Sequence, residues 1–231
     1  INGFGRIGRT FFRAAYGHPD IEIVAVNDLG SIENLAYLLT YDSVYRRSPF
    51  EAKVDGKDLL VAGKKITLCQ EKDPSALPWG SMNIDVVVES TGFFTTYVGS
   101  KKHLDAGAKK VVISAPVSDN PSDAGVQGAT VLMGVNEDKL ATCQITSNAS
   151  CTTNATSPLV AILKEAVGIE KALLNTTHAY TASQSLVDGP SKKEFRDGRA
   201  AALNIIPSST GAAKATTKAH PELAGKFDGI A

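Results

Sequence analysis

The sequence has little sulfur and no surplus of charge. Its 231 residues include only three cysteines, two methionines and one tryptophan, and 24 basic side chains balance 24 acidic ones. Cys69, Cys143 and Cys151 are odd in number and form no CxxC pair, which argues against a disulfide framework and against a structural zinc site, so no metal site is expected. Such sparing cysteine use suits a reducing compartment, and a cytoplasmic location is expected. Zero net charge gives no support to a broad nucleic-acid or membrane footprint. The basic pairs Arg46-Arg47, Lys64-Lys65, Lys101-Lys102 and Lys192-Lys193 are short and scattered, as solvated faces are. No apolar run approaches the roughly 18 residues of a membrane span. The opening Ile1-Asn2-Gly3 lacks the charged-then-apolar pattern of a signal peptide, and without an initiator Met further residues are expected in front.

What is present is an ordinary globular composition, 43% hydrophobic and 21% charged, in a chain long enough for two domains. The first stretch alternates apolar strands with amphipathic helices, the pattern of a parallel sheet covered on both faces. Ile1-Asn2 reads as a strand end. A helix follows from Arg6 to Tyr16, with Ile7, Phe11, Ala14 and Ala15 on its buried side. The nearly all-apolar run Ile21–Asn27 reads as a buried strand, and Ser31 as the cap of a second helix carrying Ile32, Leu35, Ala36, Leu38 and Leu39. Asp55-Gly56 and Ala62-Gly63 suit hairpin turns. Further strands are expected at Ile66–Cys69, Ile84–Glu89, Val111–Ser114, Thr130–Val135 and Gln144–Ser147, with a helix at Ser100–Ala106. The spacing of Leu159, Ile162, Leu163 and Ala166 predicts one long helix from Ser150 to Val167. Beyond Gly168 a long strand (Ile169–His178), a polar loop from Thr181 to Arg199, a short strand (Ala202–Ile206) and a helix led by Gly211 are expected. The boundary falls near Ser150, giving a nucleotide domain over 1–150 and a second domain over 151–231.

Gly3-Phe4-Gly5-Arg6-Ile7-Gly8 is a GxGxxG turn between a strand end and a helix start. Gly3 permits the tight turn, Gly5 lets a pyrophosphate approach the backbone, and Gly8 lets helix pack on strand. The helix N-terminus adds unpaired N–H groups and a partial positive charge. Asp28 follows Gly8 by about twenty residues at the tip of the second strand, where a carboxylate can accept from a ribose 2′-OH. The same carboxylate would repel the 2′-phosphate of NADP, so NAD is the expected cofactor. Leu29 would lie near the adenine.

Ser150-Cys151-Thr152 places a thiol at the start of a long helix, where the positive end favours the thiolate, the nucleophilic form. Cys69 and Cys143, in apolar strand-like settings, read as small core residues. Among the four histidines, His18 and His220 precede prolines and His103 lies in a helix. His178, at a strand end, is the candidate base, although spacing alone favours a satisfied structural histidine there.

Ala149-Ser150-Cys151-Thr152-Thr153-Asn154, with His178-Ala179-Tyr180-Thr181 and Pro207-Ser208-Ser209-Thr210-Gly211-Ala212-Ala213-Lys214, resembles phosphorylating glyceraldehyde-3-phosphate dehydrogenase of the NAD-dependent, glycolytic type. So do Asn2–Gly8, Tyr41-Asp42-Ser43-Val44, Glu89-Ser90-Thr91-Gly92 and Ile113-Ser114-Ala115-Pro116, and the resemblance runs the length of the chain. It implies a Rossmann-type parallel-sheet NAD domain followed by an α+β catalytic domain. It also implies oxidation and phosphorylation of glyceraldehyde 3-phosphate to 1,3-bisphosphoglycerate through a cysteine hemithioacetal and thioester. By the resemblance Cys151 is the nucleophile and His178 its base. Thr181 and Arg199 serve the substrate phosphate; Ser150, Thr152, Thr210 and Gly211 serve the attacking inorganic phosphate. Arg6 and Ile7 lie at the pyrophosphate turn, Asp28 at the ribose, Lys72 and Thr91 on the adenosine side, and Ser114 nearer the nicotinamide. From its residues alone, Arg199 reads as a surface arginine beside Asp197.

The loop from Thr181 to Arg199 is similar to the family's S-loop, which implies a homotetramer, and Gly189-Pro190 is similar to NAD-preferring members. Ala155 departs from many members, which carry a second cysteine there. The family's substrate-binding arginine and its C-terminal helix would come after Ala231, so the catalytic domain is expected to be incomplete and the chain by itself inactive. Within the same fold, erythrose-4-phosphate dehydrogenase differs after the histidine, and aspartate-semialdehyde dehydrogenase usually prefers NADP. A non-catalytic NAD- or RNA-binding scaffold would have no need of both Cys151 and His178.

Overall fold

The computed structural model describes residues 1–191 and 194–231; the basic pair Lys192-Lys193 lies outside the described residues. The chain divides into two compact units, one made of Ile1–Val131 with Asn136–Ala149, the other of Leu132–Val135 with Ser150–Ala231.

The first unit is an α/β layer structure. Helix α1 (Arg6–Ala15) leads to strand β1 (Ala25–Asn27) and helix α2 (Ile32–Thr40). A meander of β2 (Ala52–Asp55), β3 (Asp58–Val61) and β4 (Lys64–Cys69) follows. Next come β5 (Val86–Glu89), α3 (Tyr97–Asp105), β6 (Lys110–Ile113), a single turn α4 (Pro121–Ala124), β7 (Gly128–Thr130) and β8 (Ile145–Ser147). β1 pairs in parallel with β4, and β5-β6-β8-β7 form a second parallel set. Asn2 joins the two sets, bridging in parallel to Asn27 of β1 and to Glu89 of β5. The strand end expected at Ile1-Asn2 is therefore the centre of the sheet.

Local chemistry accounts for several boundaries. Ser31 caps α2 by accepting from the Asn34 N–H. Two-residue turns join β2 to β3 and β3 to β4, the second with Ala62 and Gly63 both at positive φ, as hairpin geometry demands. α3 starts earlier than its apolar spacing suggested because Thr96 caps it, accepting from Gly99 N–H.

Three expectations are corrected in this unit. α1 buries Gly8, Arg9, Phe12 and Ala15, while Ile7 and Ala14 are exposed and Phe11 is half-buried. Phe12 wins the core position because its ring is stacked on Tyr16 and edge-on to Phe4 and Phe50. The apolar run Ile21–Asn27 forms a strand only from Ala25, where β4 supplies a partner. Thr130–Val135 forms no strand beyond Thr130; Val131 and Leu132 are buried as irregular chain.

The second unit holds α5 (Cys151–Val167), β9 (Ala172–Asn175), α6 (Ala212–Ala219) and β10 (Phe227–Ile230), with β9 and β10 paired in parallel. α5 buries Thr153, Thr156, Ser157 and Val160, and α6 buries Ala212, Ala213 and Thr216. Ser157 Oγ donates to Thr216 Oγ1 at 3.3 Å between the helices, so small residues let them approach closely. The stripe Leu159, Ile162, Leu163 and Ala166, whose spacing predicted this helix, is exposed. Periodicity fixed the helix but not which side its own unit covers. The strand expected over Ile169–His178 is confined to four residues because its partner β10 is four residues long. Ala202–Ile206 is turn and irregular chain, with Leu203 and Ile205 exposed. Among the described residues no helix is long and apolar enough to cross a membrane.

Candidate functional site

In the first unit the glycine turn opens onto a crevice of about 490 Å³. That volume is of the size that takes small-molecule ligands. Its lining includes Gly3, Gly5, Asp28, Lys72 and Thr91 among the expected residues, and also Asn2, Asn27, Leu29, Glu71, Ser90, Phe93 and Phe94. The three glycines differ physically. A Cβ on Gly3 would lie 2.6 Å from Thr91 N, at a φ of 87° that side chains avoid. A Cβ on Gly8 would lie 2.1 Å from the Gly3 carbonyl oxygen. At Gly5 a Cβ would meet nothing within 4 Å, so it would project into open space at the start of α1. No side chain caps that helix start. Open room beside an uncapped helix N-terminus fits a pyrophosphate.

Asp28 stands at the end of β1 and braces this turn. One carboxylate oxygen accepts from Phe4 N–H at 2.7 Å and the other from Gly30 N–H at 2.8 Å. Each oxygen keeps a second lone pair for a hydroxyl. Arg6 turns its guanidinium to Asp42, so what it offers the turn is its backbone. Ile7 and Ser114 lie outside the crevice lining; Ser114 N–H donates to the Glu89 carbonyl in the sheet.

In the second unit, Ser150 caps α5, accepting from Thr153 N–H at 3.1 Å. Ala149, the residue before the cap, is held at φ 54°, a left-handed conformation that costs of order 1–3 kcal/mol for a non-glycine residue. Cys151 is thereby the first residue of the helix and is exposed. Its Sγ is 3.2 Å from His178 Nε2, and His178 Nδ1 is 2.6 Å from the Ala179 carbonyl oxygen. The hydrogen bond from His178 holds the Cys151 thiol below its ordinary value, against burial, with the imidazole charge and Thr152 assisting. His178 in turn is raised, first by the Ala179 carbonyl and then by Cys151. The two shifts are one coupling, and both favour a thiolate–imidazolium pair. Cys69 is the opposite case, half-buried at the end of β4 with burial pushing its thiol up.

A second crevice, about 680 Å³, lies beside this pair within the same unit. His178, Thr152, Thr181 and Thr210 line it, together with Thr176, Ser208 and Ser209. Ser150, Cys151, Arg199 and Gly211 are not in its lining. Arg199 pairs with Asp188 at 3.2 Å, not with Asp197 as its position suggested. Thr210 Oγ1 accepts from Ala212 N–H at 3.1 Å, and Gly211 precedes α6. One cluster is not joined by any spacing in the sequence: Asn2 and Asn27 in the lining of the first crevice, and Glu89, His103 and Trp79 behind them, are buried and hydrogen-bonded together. A carboxylate closing the apolar run Ile84–Glu89 was the available signal.

A parallel sheet with a glycine-lined dinucleotide crevice, followed by a unit bearing a thiol paired with imidazole, defines an NAD-dependent dehydrogenase acting on an aldehyde through sulfur. The family model for the NAD-binding domain of glyceraldehyde 3-phosphate dehydrogenase matches residues 1–97, and that for its C-terminal domain matches residues 150–231. Glyceraldehyde-3-phosphate dehydrogenase 2 of Kluyveromyces marxianus is 51% identical over 232 residues, covering 100% of this chain and 68% of the relative. Glyceraldehyde-3-phosphate dehydrogenase 1 of Bacillus subtilis (strain 168) is 51% identical over 231 residues, covering 99% and 67%. Glyceraldehyde-3-phosphate dehydrogenase 3 of Saccharomyces cerevisiae is also 51% identical, covering 100% and 68%. The chain belongs to the glyceraldehyde-3-phosphate dehydrogenase family.

Proposed function

We propose that this protein oxidises glyceraldehyde 3-phosphate with NAD and inorganic phosphate to 1,3-bisphosphoglycerate, with residues 1–150 holding the cofactor and 151–231 carrying the chemistry. The observation that carries the reading is the 3.2 Å contact of Cys151 Sγ with His178 Nε2 at the head of α5.

The Cys151 thiolate forms a C–S bond to the aldehyde carbon, whose carbonyl oxygen takes up the negative charge. His178 protonates that oxygen and later removes the proton as the C=O bond reforms and the hydrogen on that carbon departs as hydride, leaving an acyl group on sulfur. NAD, when bound, supplies the hydride acceptor. An oxygen of inorganic phosphate then adds to the acyl carbon and displaces the Cys151 thiolate, which His178 stabilises as it leaves. Thr181 and Arg199 bind the substrate phosphate, and Ser150, Thr152, Thr210 and the backbone at Gly211 bind the attacking one, since hydroxyls, N–H groups and guanidinium suit tetrahedral oxyanions.

For NAD, the backbone at Gly3, Gly5, Arg6, Ile7 and Gly8 takes the pyrophosphate and Asp28 accepts from the ribose. Lys72 and Thr91 flank the adenosine, and Ser114 serves the nicotinamide end. A 2′-phosphate would meet the Asp28 carboxylate, so NADP is disfavoured. The working form is a cytoplasmic homotetramer in which the loop from Thr181 to Arg199 reaches a neighbouring subunit.

The test is an assay of the full-length protein with glyceraldehyde 3-phosphate, with and without phosphate, using NAD and NADP in parallel. Phosphate-dependent NADH formation, abolished by Cys151→Ser, is expected. Turnover indifferent to phosphate, or equal use of both cofactors, overturns the reading.

A further inference from the structure

Beneath the dinucleotide crevice runs a buried chain of hydrogen bonds whose direction is fixed at one end. Trp79, the only tryptophan in the sequence, donates its indole N–H to His103 Nδ1 at 3.0 Å. An indole nitrogen can only donate, so Nδ1 is the acceptor and the ring proton lies on Nε2. Nε2–H therefore donates to Glu89 Oε2 at 3.1 Å. Asn2 Nδ2 donates to the same oxygen at 2.5 Å. Glu89 Oε1 accepts from both Thr91 N–H at 2.7 Å and the Thr91 hydroxyl at 2.5 Å. Four donors thus converge on one carboxylate that is 2% exposed and, among the described residues, has no lysine or arginine partner. Such a group acts only as an acceptor.

Both walls of the crevice hang from this carboxylate. On one side the Thr91 hydroxyl, its proton given to Glu89, accepts from Phe93 N–H at 3.1 Å. On the other side Asn2 Oδ1 accepts from Asn27 Nδ2 at 2.7 Å, and the Asn27 amide grips the Glu71 backbone at 2.9 and 2.8 Å. Thr91, Phe93, Asn27 and Glu71 all line the crevice; Glu89, His103 and Trp79 do not.

We propose that Glu89 and His103 are positioning residues for the dinucleotide: the His103 tautomer set by Trp79 orients Glu89, which holds both crevice walls in their binding geometry. This rests on the reading that the crevice lined by Gly5 and Asp28 takes NAD. A purely space-filling role fixes no sign for the coupling between neighbouring substitutions, whereas a directional chain predicts coupling of a definite sign. Glu89→Gln puts an N–H₂ donor among donors. The imidazole can accept from it only by moving its proton to Nδ1, against the Trp79 N–H. Trp79→Phe removes that opposing donor, so it repairs part of the Glu89→Gln defect.

The experiment measures NAD dissociation constants by calorimetry, and the His103 tautomer by long-range proton–nitrogen NMR of the ligand-free protein. Glu89→Gln is expected to weaken NAD about tenfold, a loss of about 1.4 kcal/mol, and Glu89→Gln with Trp79→Phe to bind more tightly than Glu89→Gln alone. A double variant weaker than Glu89→Gln alone, or a His103 proton on Nδ1 in the parent, overturns the proposal. Should Glu89→Gln fail to fold, His103→Gln decides against His103→Leu, because the glutamine amide can still accept from Trp79 and donate to Glu89. Near-parent NAD affinity in His103→Gln with loss in His103→Leu supports the chain, and equal affinity in the two overturns it. Asp28→Ala separates the two readings. If it leaves NAD affinity unchanged, the crevice assignment itself fails; if it weakens NAD while Glu89→Gln does not, only the positioning role fails.

Discussion

His178 stands between two groups that pull its proton equilibrium the same way: Cys151 Sγ at 3.2 Å from Nε2 and the Ala179 carbonyl oxygen at 2.6 Å from Nδ1. The carbonyl can only accept, so Nδ1 keeps its proton, and Nε2 faces sulfur, free to take the thiol proton. A pair arranged in this way is charged over a wider pH range than either group alone. Its raised imidazole and lowered thiol are two views of that pairing.

The rate of Cys151 alkylation by iodoacetamide should therefore show its inflection below the value of about 8.5 for a free thiol. His178→Asn removes the lowering influence, so the inflection moves up and alkylation at neutral pH slows. Turnover should fall by about 10²–10⁴, the usual contribution of a positioned base. A His178→Asn protein with unchanged alkylation at neutral pH would mean that the helix end alone activates the sulfur.

Gly5 and Gly8 make opposite predictions from one motif. A methyl group on Gly8 has to displace the Gly3 carbonyl, 2.1 Å from the ideal Cβ, so Gly8→Ala should destabilise the fold by the overpacking cost of about 1–3 kcal/mol and melt at a lower temperature. Gly5→Ala meets no protein atom within 4 Å and should leave melting nearly unchanged while weakening NAD, since the methyl occupies the pyrophosphate's space. Thermal melts without cofactor, beside NAD titrations, check both. A Gly5→Ala protein with full NAD affinity would move the pyrophosphate elsewhere.

The legible parts of this molecule were the local ones. Ser31 and Ser150 cap helices because a short side-chain oxygen can satisfy an N–H three residues on, and that relation is written in consecutive residues. Strand extents were misjudged because they depend on a partner: Ile21–Asn27 and Ile169–His178 each surround a short apolar stretch, yet each is strand only opposite β4 or β10. Burial by face was misjudged in α1 for a similar reason, since Phe12 outranks Phe11 only once Phe4, Tyr16 and Phe50 are gathered around it. Of the Glu89–His103–Trp79 chain only the carboxylate closing Ile84–Glu89 was legible, because its members lie 14 and 24 positions apart and no periodicity links them. Nor does spacing link Cys151 to His178, which are 27 positions apart.

Asp42 gives a pH prediction with a definite sign. Burial alone would raise its carboxyl, but the Tyr45 and Val44 N–H groups and the Arg6 guanidinium outweigh this and bring it down to about 2. A folded value below the unfolded one of about 3.9 stabilises the protein above pH 4 and ceases to do so as pH falls toward 2. Asp42→Asn should therefore lower the urea midpoint near neutral pH, with the gap from the parent closing on acidification below about pH 4. A gap that stays constant down to about pH 2 would assign the loss to the backbone turn and not to the charge.

Arg199 poses the sharpest question about the second unit. Its guanidinium pairs with Asp188 at 3.2 Å, and both side chains are more than half exposed, 60% and 56%. An exposed pair of this kind contributes about 0–1 kcal/mol, so a phosphate can take the arginine from Asp188 at little cost. The loop does not depend on the pair, because Asp188 also accepts from Ala200 N–H and Gly189 N–H donates to the Gly198 carbonyl. Arg199→Ala should leave melting unchanged and raise KM for glyceraldehyde 3-phosphate about tenfold, the value of one charge-assisted hydrogen bond. Asp188→Asn should do the reverse, lowering KM by removing the competing carboxylate. If neither substitution moves KM, Arg199 is a surface arginine and substrate phosphate binding must fall to Thr181 and the other hydroxyls around the crevice.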